Sequence, residues 1–193
     1  MYEEFVNSRD HPSIKPTKFN GNSVVMYTLL LKHLKLDEAI AFESPDRTGL
    51  TYGEFNDTLI NLRYKFEELS ITPSDPVAIV LPNGPDLGML FFASACFGIA
   101  APLNPDYSKK EFLFFLKDLK AQFLIVDTET KSAAPFAAKE LGIPLIYLTP
   151  NRKAGQFDLI SSSDFFPKKS PLDHFDPKTS LLLHTSGTTS KPK

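Results

Sequence analysis

The last nine residues of the chain combine hydroxyl, glycine and lysine side chains in a pattern that suits phosphate chemistry. Hydroxyl groups donate hydrogen bonds, a glycine lets the backbone approach a ligand closely, and lysine ammonium groups supply positive charge. Together these features complement the phosphates of a nucleotide. The candidate phosphate-binding residues of this hydroxyl–lysine segment, residues 185–193, are Thr185, Ser186, Gly187, Thr188, Thr189, Ser190, Lys191 and Lys193.

The order of these residues is more specific than their composition. A solvated Ser/Thr-rich tail is the ordinary explanation for a polar stretch of chain. At residue frequencies of roughly 5–7%, however, Ser-Gly-Thr-Thr-(Gly or Ser)-any-Pro-Lys arises by chance about once in a million such chains. The segment is not a Walker A loop, because it lacks the Gly-Lys pair and Pro192 disfavours helix at Lys191. A kinase or GTPase of that type is therefore excluded.

Two other residue types deserve comparison as candidates. His184 directly precedes the hydroxyl–lysine segment, where its side chain could line a nucleotide or acid pocket or simply pack. Cys96 lies in an apolar stretch and is predicted to be a buried, inert thiol. The histidines show no ligand spacing with Cys or carboxylates, so no metal site is predicted.

Composition limits the classes of protein this chain could be. With 42% hydrophobic and 23% charged residues, 193 residues suffice for a folded domain. The net charge of −2 gives no reason to expect nucleic-acid binding, and a single cysteine favours a reducing compartment. Residues 1–18 show no secretory signal, and the longest apolar run, Leu87–Ala101, is too short to span a bilayer. We therefore expect neither export nor a membrane span.

Hydrophobic periodicity predicts an α/β fold with a mostly parallel sheet and flanking helices. Val24–Leu36 has helical spacing, and Thr51/Glu54 and Ser108/Glu111 have the spacing of capping boxes that begin two further helices. Apolar runs without polar alternation indicate buried strands that alternate with helices. The predicted strands are Pro76–Leu81, Ile99–Leu103, Phe123–Val126 and Pro144–Leu148, with helices at Asp86–Phe97 and Ala133–Leu141 and a hairpin around Ser44–Gly49.

These elements divide the chain into four predicted segments. An N-terminal arm covers residues 1–22, and an α/β subdomain covers residues 23–149. Residues 150–178, rich in Pro, Ser, Asp and Lys, form a connecting segment with one brief extended stretch at Phe157–Ile160. Residues 179–193 form a buried strand, Thr179–His184, followed by the phosphate-binding loop.

The hydroxyl–lysine segment resembles the phosphate-binding signature of the adenylate-forming ligases, the superfamily of acyl-CoA synthetases, luciferases and nonribosomal-peptide adenylation domains. Leu181–Lys193 matches it almost throughout, and three upstream stretches resemble the family's early motifs in their usual order: Leu50–Tyr52, Pro76–Asn83 and Phe97–Tyr107. Ser190 stands where the signature most often has Gly, and His184 where an aromatic or apolar residue is more usual. With these departures the chain is most similar to the oxalate–CoA ligase and peroxisomal-type acyl-CoA synthetase branch.

The resemblance implies the N-terminal, Rossmann-like portion of such a ligase, incomplete at its C-terminus. It implies ATP, Mg²⁺ and CoA as partners of the intact enzyme, together with a small carboxylic acid, and a cytoplasmic or peroxisomal location. No catalytic residue is expected within this chain, so the isolated chain should be inactive. A different interpretation is a naturally truncated, non-catalytic module that binds a partner or regulates a full-length ligase. A Rossmann dinucleotide protein is disfavoured, because no Gly-x-Gly-x-x-Gly follows a strand.

Overall fold

A computed structural model gives the structure of residues 26–30, 38–162, 175 and 179–184. Residues 26–30 are helical, and four helices and seven strands are bounded within these ranges. The helices are α1 (Tyr52–Glu68), α2 (Pro85–Phe97), α3 (Lys109–Asp118) and α4 (Ala134–Leu141). The strands are β1 (Ile40–Ser44), β2 (Arg47–Thr51), β3 (Pro76–Val80), β4 (Ile99–Pro102), β5 (Phe123–Asp127), β6 (Leu145–Pro150) and β7 (Phe157–Ser161).

Five of the strands form one mixed sheet in the order β4-β3-β5-β6-β7. β3 pairs in parallel with β4 and β5, and β5 pairs in parallel with β6, whereas β7 runs antiparallel to β6. The register places Ala78 opposite Ala101 on one side and Leu124 on the other. β1 and β2 form a separate antiparallel hairpin. The predicted α/β fold with a mostly parallel sheet and flanking helices is confirmed.

Helices cover both faces of this sheet, which explains why its central strands are apolar throughout. All five residues of β3 are buried. Val77 and Ile79 belong to the core cluster that α1 and α2 complete, whereas Ala78 and Val80 belong to the cluster that α3 and α4 complete. This alternation follows from the two-residue repeat of a strand, so each face needs its own layer of helices. Among the described residues, no helix is long and apolar enough to cross a membrane.

The predicted capping boxes begin α1 and α3. The Thr51 hydroxyl accepts from the Glu54 backbone N–H at 3.2 Å, and the Glu54 carboxylate accepts from the Thr51 N–H at 3.1 Å. Ser108 and Glu111 make the same reciprocal pair at the start of α3. Each box satisfies backbone donors that the first helical turn leaves free. At the C-terminal end of α4, Gly142 adopts φ +69°, the left-handed conformation that commonly ends a helix.

Phe42 fixes the hairpin against the rest of the domain. Its ring meets Phe55 edge-on, with ring centroids 5.7 Å apart. A Cβ atom at Gly88 in α2 would lie 3.1 Å from this ring, and one at Gly155 would lie 2.9 Å from it. Gly155 also has φ +79°, which is a left-handed backbone conformation. Both this conformation and the closeness of the Phe42 ring therefore favour glycine at this position. The two glycines therefore make room for the ring that docks β1.

Arg47 joins three parts of the chain that are distant in sequence. Its Nη1 donates to Asp86 Oδ2 at 2.5 Å, and the other carboxylate oxygen of Asp86 accepts from the Gly155 N–H at 3.1 Å. The Arg47 and Asp86 side chains are only 16% and 18% exposed. The remaining guanidinium donors reach three backbone carbonyls of the loop between β6 and β7, those of Asn151, Lys153 and Gln156. One side chain thus fastens the hairpin, the start of α2 and this loop together.

The structure extends what the sequence predicted for residues 150–162. The brief extended stretch expected at Phe157–Ile160 is the edge strand β7, and β6 continues to Pro150 instead of ending at Leu148. Residues 26–30 lie within the predicted helix Val24–Leu36, whose other residues lie outside the described ranges. The arm at residues 1–22 and most of residues 163–178 also lie outside them, so the division into segments stays a prediction.

Removing the Arg47 guanidinium should destabilise the fold strongly. Arg47→Ala leaves Asp86 and three carbonyls without their donor in a mostly buried place, so we expect a loss of about 2–4 kcal/mol in the free energy of unfolding. Urea denaturation followed by circular dichroism measures it. Lys65→Ala, which removes an exposed pair with Glu68, is the control and should cost no more than about 1 kcal/mol. Equal losses in the two variants would contradict the role given to Arg47.

Glu54 should contribute stability that disappears in acid. Its hydrogen bonds with Lys153 and with the Thr51 N–H hold the pKa of the Glu54 carboxyl below its usual range. A carboxyl whose pKa is lowered by folding stabilises above its unfolded pKa, about 4.3, and this contribution is lost as the pH falls through the folded value. Glu54→Gln should therefore destabilise at pH 7 and progressively less towards pH 3, in urea titrations at each pH. Glu68→Gln is the control, and a pH-independent effect of Glu54→Gln would contradict the assignment.

Candidate functional site

The parallel strands bring several chain segments to one edge of the sheet. Because β3 and β4 run in the same direction, the residues that follow them, 81–84 and 103–108, leave from the same edge. In open α/β sheets, ligands bind outside the carboxyl ends of the strands. This edge is therefore the candidate site. Its residues depend on which further segments of the chain reach the edge.

The 179–184 segment extends the sheet beyond β4. The Ala100 N–H donates to the Ser180 carbonyl at 3.0 Å, and the Leu182 N–H donates to the Ala100 carbonyl at 2.9 Å. These two bonds make a parallel bridge between Ala100 and Leu181. The segment therefore runs in the same direction as β4, and the chain leaves it at His184 towards the carboxyl edge.

Only one face of this segment is covered, which corrects part of the sequence prediction. Leu182 packs against the cluster of α3 and α4, whereas Leu181 and Leu183 are 38% and 63% exposed. The prediction of a buried strand at Thr179–His184 is therefore wrong: the segment makes only an isolated bridge at Leu181, these two leucines are exposed, and its other residues are partly buried. Successive side chains of an extended segment point to opposite faces, and only the α3 side carries a packed layer within the described residues.

His184 lies on the covered face, against α3. Its ring centroid is 4.7 Å from that of Phe115, and its Nε2 is 3.4 Å from Asp118 Oδ2. The side chain is 11% exposed. Nε2 is buried and, among the described residues, makes no aligned hydrogen bond, so its contact with Asp118 is an ion-pair distance without hydrogen-bond geometry. The prediction that His184 lines a pocket stays open, because residues 185–193 lie outside the described ranges.

The segment after β4 contacts the same part of α3. The Tyr107 ring stacks on Phe115, with centroids 4.8 Å apart and an angle of 28° between the ring planes. The Asn104 side-chain oxygen accepts from the Asp106 N–H at 2.9 Å and so shapes the turn that leads to Tyr107. Phe115 therefore sits between Tyr107 and His184, which come from two different carboxyl-edge segments.

Sequence reasoning missed the contact of Phe115 with His184, although Phe115 also packs against the cluster of α3 and α4. Phe112 and Leu116, which repeat at helical spacing, do face the core. Phe115 and Asp118 are three residues apart, so they are neighbours on the helix surface and both meet His184. An aromatic residue followed three positions later by an acid could have indicated a histidine partner, but the sequence alone gives no reason to choose His184 among four histidines.

The remaining candidates are Cys96, a metal site and the predicted phosphate-binding residues. Cys96 is buried, as predicted, and burial raises the pKa of its thiol to about 12. Within the described ranges, no three His, Cys, Asp or Glu side chains lie close enough together to hold a metal ion. The predicted phosphate-binding residues, Thr185 to Ser190 with Lys191 and Lys193, lie outside those ranges, and their role stays a prediction.

Comparison with known proteins agrees with this architecture. The family described as AMP-binding enzyme matches residues 34–193, and the chain belongs to this family. The chain is 32% identical over 170 residues to an oxalate–CoA ligase of Arabidopsis thaliana, covering 81% of this chain and 33% of that protein. It is 35% identical over 172 residues to a probable CoA ligase, CCL9, of Humulus lupulus, covering 82% of this chain and 32% of that protein. The chain thus spans about a third of the length of these relatives.

Solved structures show the same fold at lower identity. ATP-bound MatB from Rhodopseudomonas palustris superposes with a TM-score of 0.65 at 20% identity, over 89% of this chain and 34% of that one. O-succinylbenzoate coenzyme A synthetase (MenE) from Bacillus subtilis, in complex with AMP, gives a TM-score of 0.61 at 22% identity, over 86% and 40% of the two chains. At these identities the likeness establishes the fold of the described sheet and its helices.

Cys96 should resist thiol reagents while the chain is folded. With a pKa near 12, its thiolate is only about 10⁻⁴ of the thiol at pH 8, against about a quarter for an exposed cysteine. Reaction with a chromogenic disulfide at pH 8 should therefore be at least about 100-fold slower in buffer than in denaturing urea. Glu129→Cys in a Cys96→Ala background provides an exposed control thiol. Equal rates for Cys96 in the folded and unfolded chain would contradict a buried, inert thiol.

Proposed function

We propose that this chain is the N-terminal part of an ATP-dependent, AMP-forming acid–CoA ligase, with residues 185–193 as its phosphate-binding loop. The observation that carries the proposal is the parallel bridge between Ala100 and Leu181. It orients residues 181–184 towards the edge of the sheet where α/β proteins bind ligands, which supports a binding role for the residues that follow. Membership of the AMP-binding enzyme family supports the same conclusion.

The proposed reaction has two balanced steps. The carboxylate of the acid attacks the α-phosphorus of ATP, which forms an acyl-adenylate and releases pyrophosphate. The thiol of CoA then attacks the acyl carbon, AMP leaves, a thioester forms and the thiol proton is released. The hydroxyls of Thr185, Ser186, Thr188 and Thr189 would hold the β- and γ-phosphates together with the Lys193 ammonium. Donors fixed in advance around the leaving pyrophosphate would lower the barrier by positioning and charge stabilisation.

Mg²⁺ would share the negative charge of the phosphates. The described residues offer no cluster of three acidic or histidine side chains for it. This fits the ordinary behaviour of Mg²⁺, which keeps several waters and binds largely through substrate phosphates. The hydroxyl-rich segment supplies neutral donors and lysines, so it complements a metal–nucleotide complex better than a bare metal ion.

Oxalate is the acid we propose first. The support is the 32% identity to the oxalate–CoA ligase of Arabidopsis thaliana and the 32% identity over 143 residues to the oxalate–CoA ligase of Saccharomyces cerevisiae. One carboxylate of oxalate would be activated while the other remains charged. For the whole protein we propose a cytoplasmic or peroxisomal location, in line with a single, buried cysteine and with the branch that the sequence resembles.

A second candidate function is a non-catalytic module that binds a protein partner. The exposure of Leu181 and Leu183 on a segment held by a single bridge favours it, because an incompletely paired, apolar edge is a template for another chain. The two functions differ in what the reading frame encodes beyond codon 193. A frame that continues favours the ligase, and a stop codon favours the module.

An acid-dependent exchange of pyrophosphate into ATP tests the ligase. We expect the polypeptide encoded by the complete reading frame to exchange labelled pyrophosphate in the presence of oxalate, and residues 1–193 alone to show no exchange above background. Alanine at Thr185, Ser186, Thr188 and Thr189 together should lower the rate at least about 100-fold, because these donors would act where charge develops. Ser161→Ala on the exposed part of β7 is the matched control and should leave the rate unchanged.

Two results would overturn the proposal. One is the absence of exchange with oxalate and with a panel of other carboxylic acids. The other is exchange that survives the quadruple alanine substitution, which would place the phosphates elsewhere. Exchange with a different acid and not with oxalate would retain the ligase and reject only the choice of substrate.

A further inference from the structure

We propose that His184 is a positioning residue for the phosphate-binding loop, because it holds the chain just before residue 185 against α3 through Phe115 and Asp118. The inference rests on the proposed function, since it assigns His184 a task in binding ATP. The support for this inference is the set of contacts that the described residues make with His184. In this role the imidazole need not touch the nucleotide.

The backbone fixes the 179–184 segment only up to Leu182. Its two ladder bonds involve Ser180 and Leu182, both with Ala100 of β4. Beyond Leu182, the described backbone has no further bridge to β4. Among the described residues, the contacts that hold residues 183–184 are therefore made by side chains.

His184 supplies the last such contact before residue 185. Its ring packs on Phe115 at 4.7 Å between centroids, and the side chain is 11% exposed. Leu182, two residues earlier, points to the same face and packs in the α3 cluster. Leu183 points away and is 63% exposed, so it cannot hold the segment. The pair Leu182 and His184 therefore sets the orientation of the chain end.

Phe115 is itself held in place. Tyr107 stacks on it at 4.8 Å, and Phe114 meets it edge-on at 5.3 Å. Tyr107 also contacts Phe112, which is fully buried. The surface that receives the imidazole is thus connected to the core, so His184 packs against a rigid support.

Asp118 adds an electrostatic component at the end of α3. A carboxylate there lies unfavourably at the negative end of the helix dipole, and an imidazole Nε2 3.4 Å away offers it a polar partner. The same contact gives a buried imidazole nitrogen its nearest charged neighbour. The ring thus meets α3 at both Phe115 and Asp118, and two contacts restrain its orientation more than one.

The kinetic test uses the ligase encoded by the complete reading frame. His184→Ala should lower kcat/KM for ATP about 10- to 100-fold, because misplacing a phosphate-binding group by about 1 Å has effects of this size. The value of kcat/KM for CoA should change less than about twofold, since CoA enters after pyrophosphate has left. His184→Phe keeps the ring on Phe115 and should recover most of kcat/KM for ATP. Leu183→Ala, next in sequence but on the opposite face, is the matched control and should leave both constants unchanged.

A second measurement does not depend on catalysis. In the 193-residue chain, hydrogen exchange at the Leu182 amide, which donates to Ala100, should be about tenfold faster in His184→Ala than in the wild type. The Leu103 amide, which donates to Ile79 within the sheet, should exchange at an unchanged rate and shows that the fold is intact. Asp118→Asn, at an exposed helix end, should give a smaller increase at Leu182 and a smaller loss of kcat/KM for ATP.

The outcomes separate the two proposals. A wild-type enzyme without acid-dependent exchange overturns the proposed function. An active wild type whose kcat/KM for ATP is unaffected by His184→Ala overturns the positioning role alone, whatever happens to the Leu182 amide. Equal losses for ATP and CoA, without recovery in His184→Phe, also overturn it, because they would indicate general destabilisation.

Discussion

The pairing of β3 with both β4 and β5 is the constraint from which the rest of the architecture follows. β3 is buried over its whole length and has a parallel neighbour on each side. Parallel neighbours cannot be joined by tight turns, so helices must cross over both faces of the sheet. Because β3, β4, β5 and β6 run in the same direction, the segments that follow these four strands leave from one edge. A site at that edge is thus a consequence of how β3 is buried.

The outer parts of the domain depend on polar and aromatic contacts more than on the sheet. Arg47 ties the hairpin to α2 and to the loop after β6, and Phe42 fits into the space left by Gly88 and Gly155. On the other side of the sheet, Phe115 receives both Tyr107 and His184. In both places a single side chain contacts segments that are far apart in sequence. Buried residues pack near each of these side chains.

Local signals in the sequence predicted most of the helices and strands. They did not predict which distant residues these elements contact. The capping residues Thr51 and Ser108 predicted two helix starts correctly, because a capping box depends on residues only three positions apart. The edge strand β7 was recognised only as a short extended stretch, since its pairing with β6 depends on a loop that Arg47 holds from more than a hundred residues away. The exposure of Leu181 and Leu183 could not be predicted, because apolar composition does not reveal which face of a strand is covered.

For the candidate site, the chemistry inferred from the sequence stays a prediction, whereas the surroundings of His184 could be found only from the fold. The order of hydroxyl, glycine and lysine residues in 185–193 indicates phosphate binding by itself, and the family match includes these residues. The neighbours of His184 required the fold, because Phe115 and Asp118 lie about seventy residues earlier in the chain.

The single bridge between Ala100 and Leu181 also has a consequence for the order of folding. It closes a loop of about eighty residues with two hydrogen bonds, whereas β3, β4 and β5 are joined by shorter connections and many more contacts. Closing long loops costs entropy that local contacts do not incur, so this segment should dock after the sheet has formed. During synthesis the 179–184 segment would then be added to a sheet that is already in place.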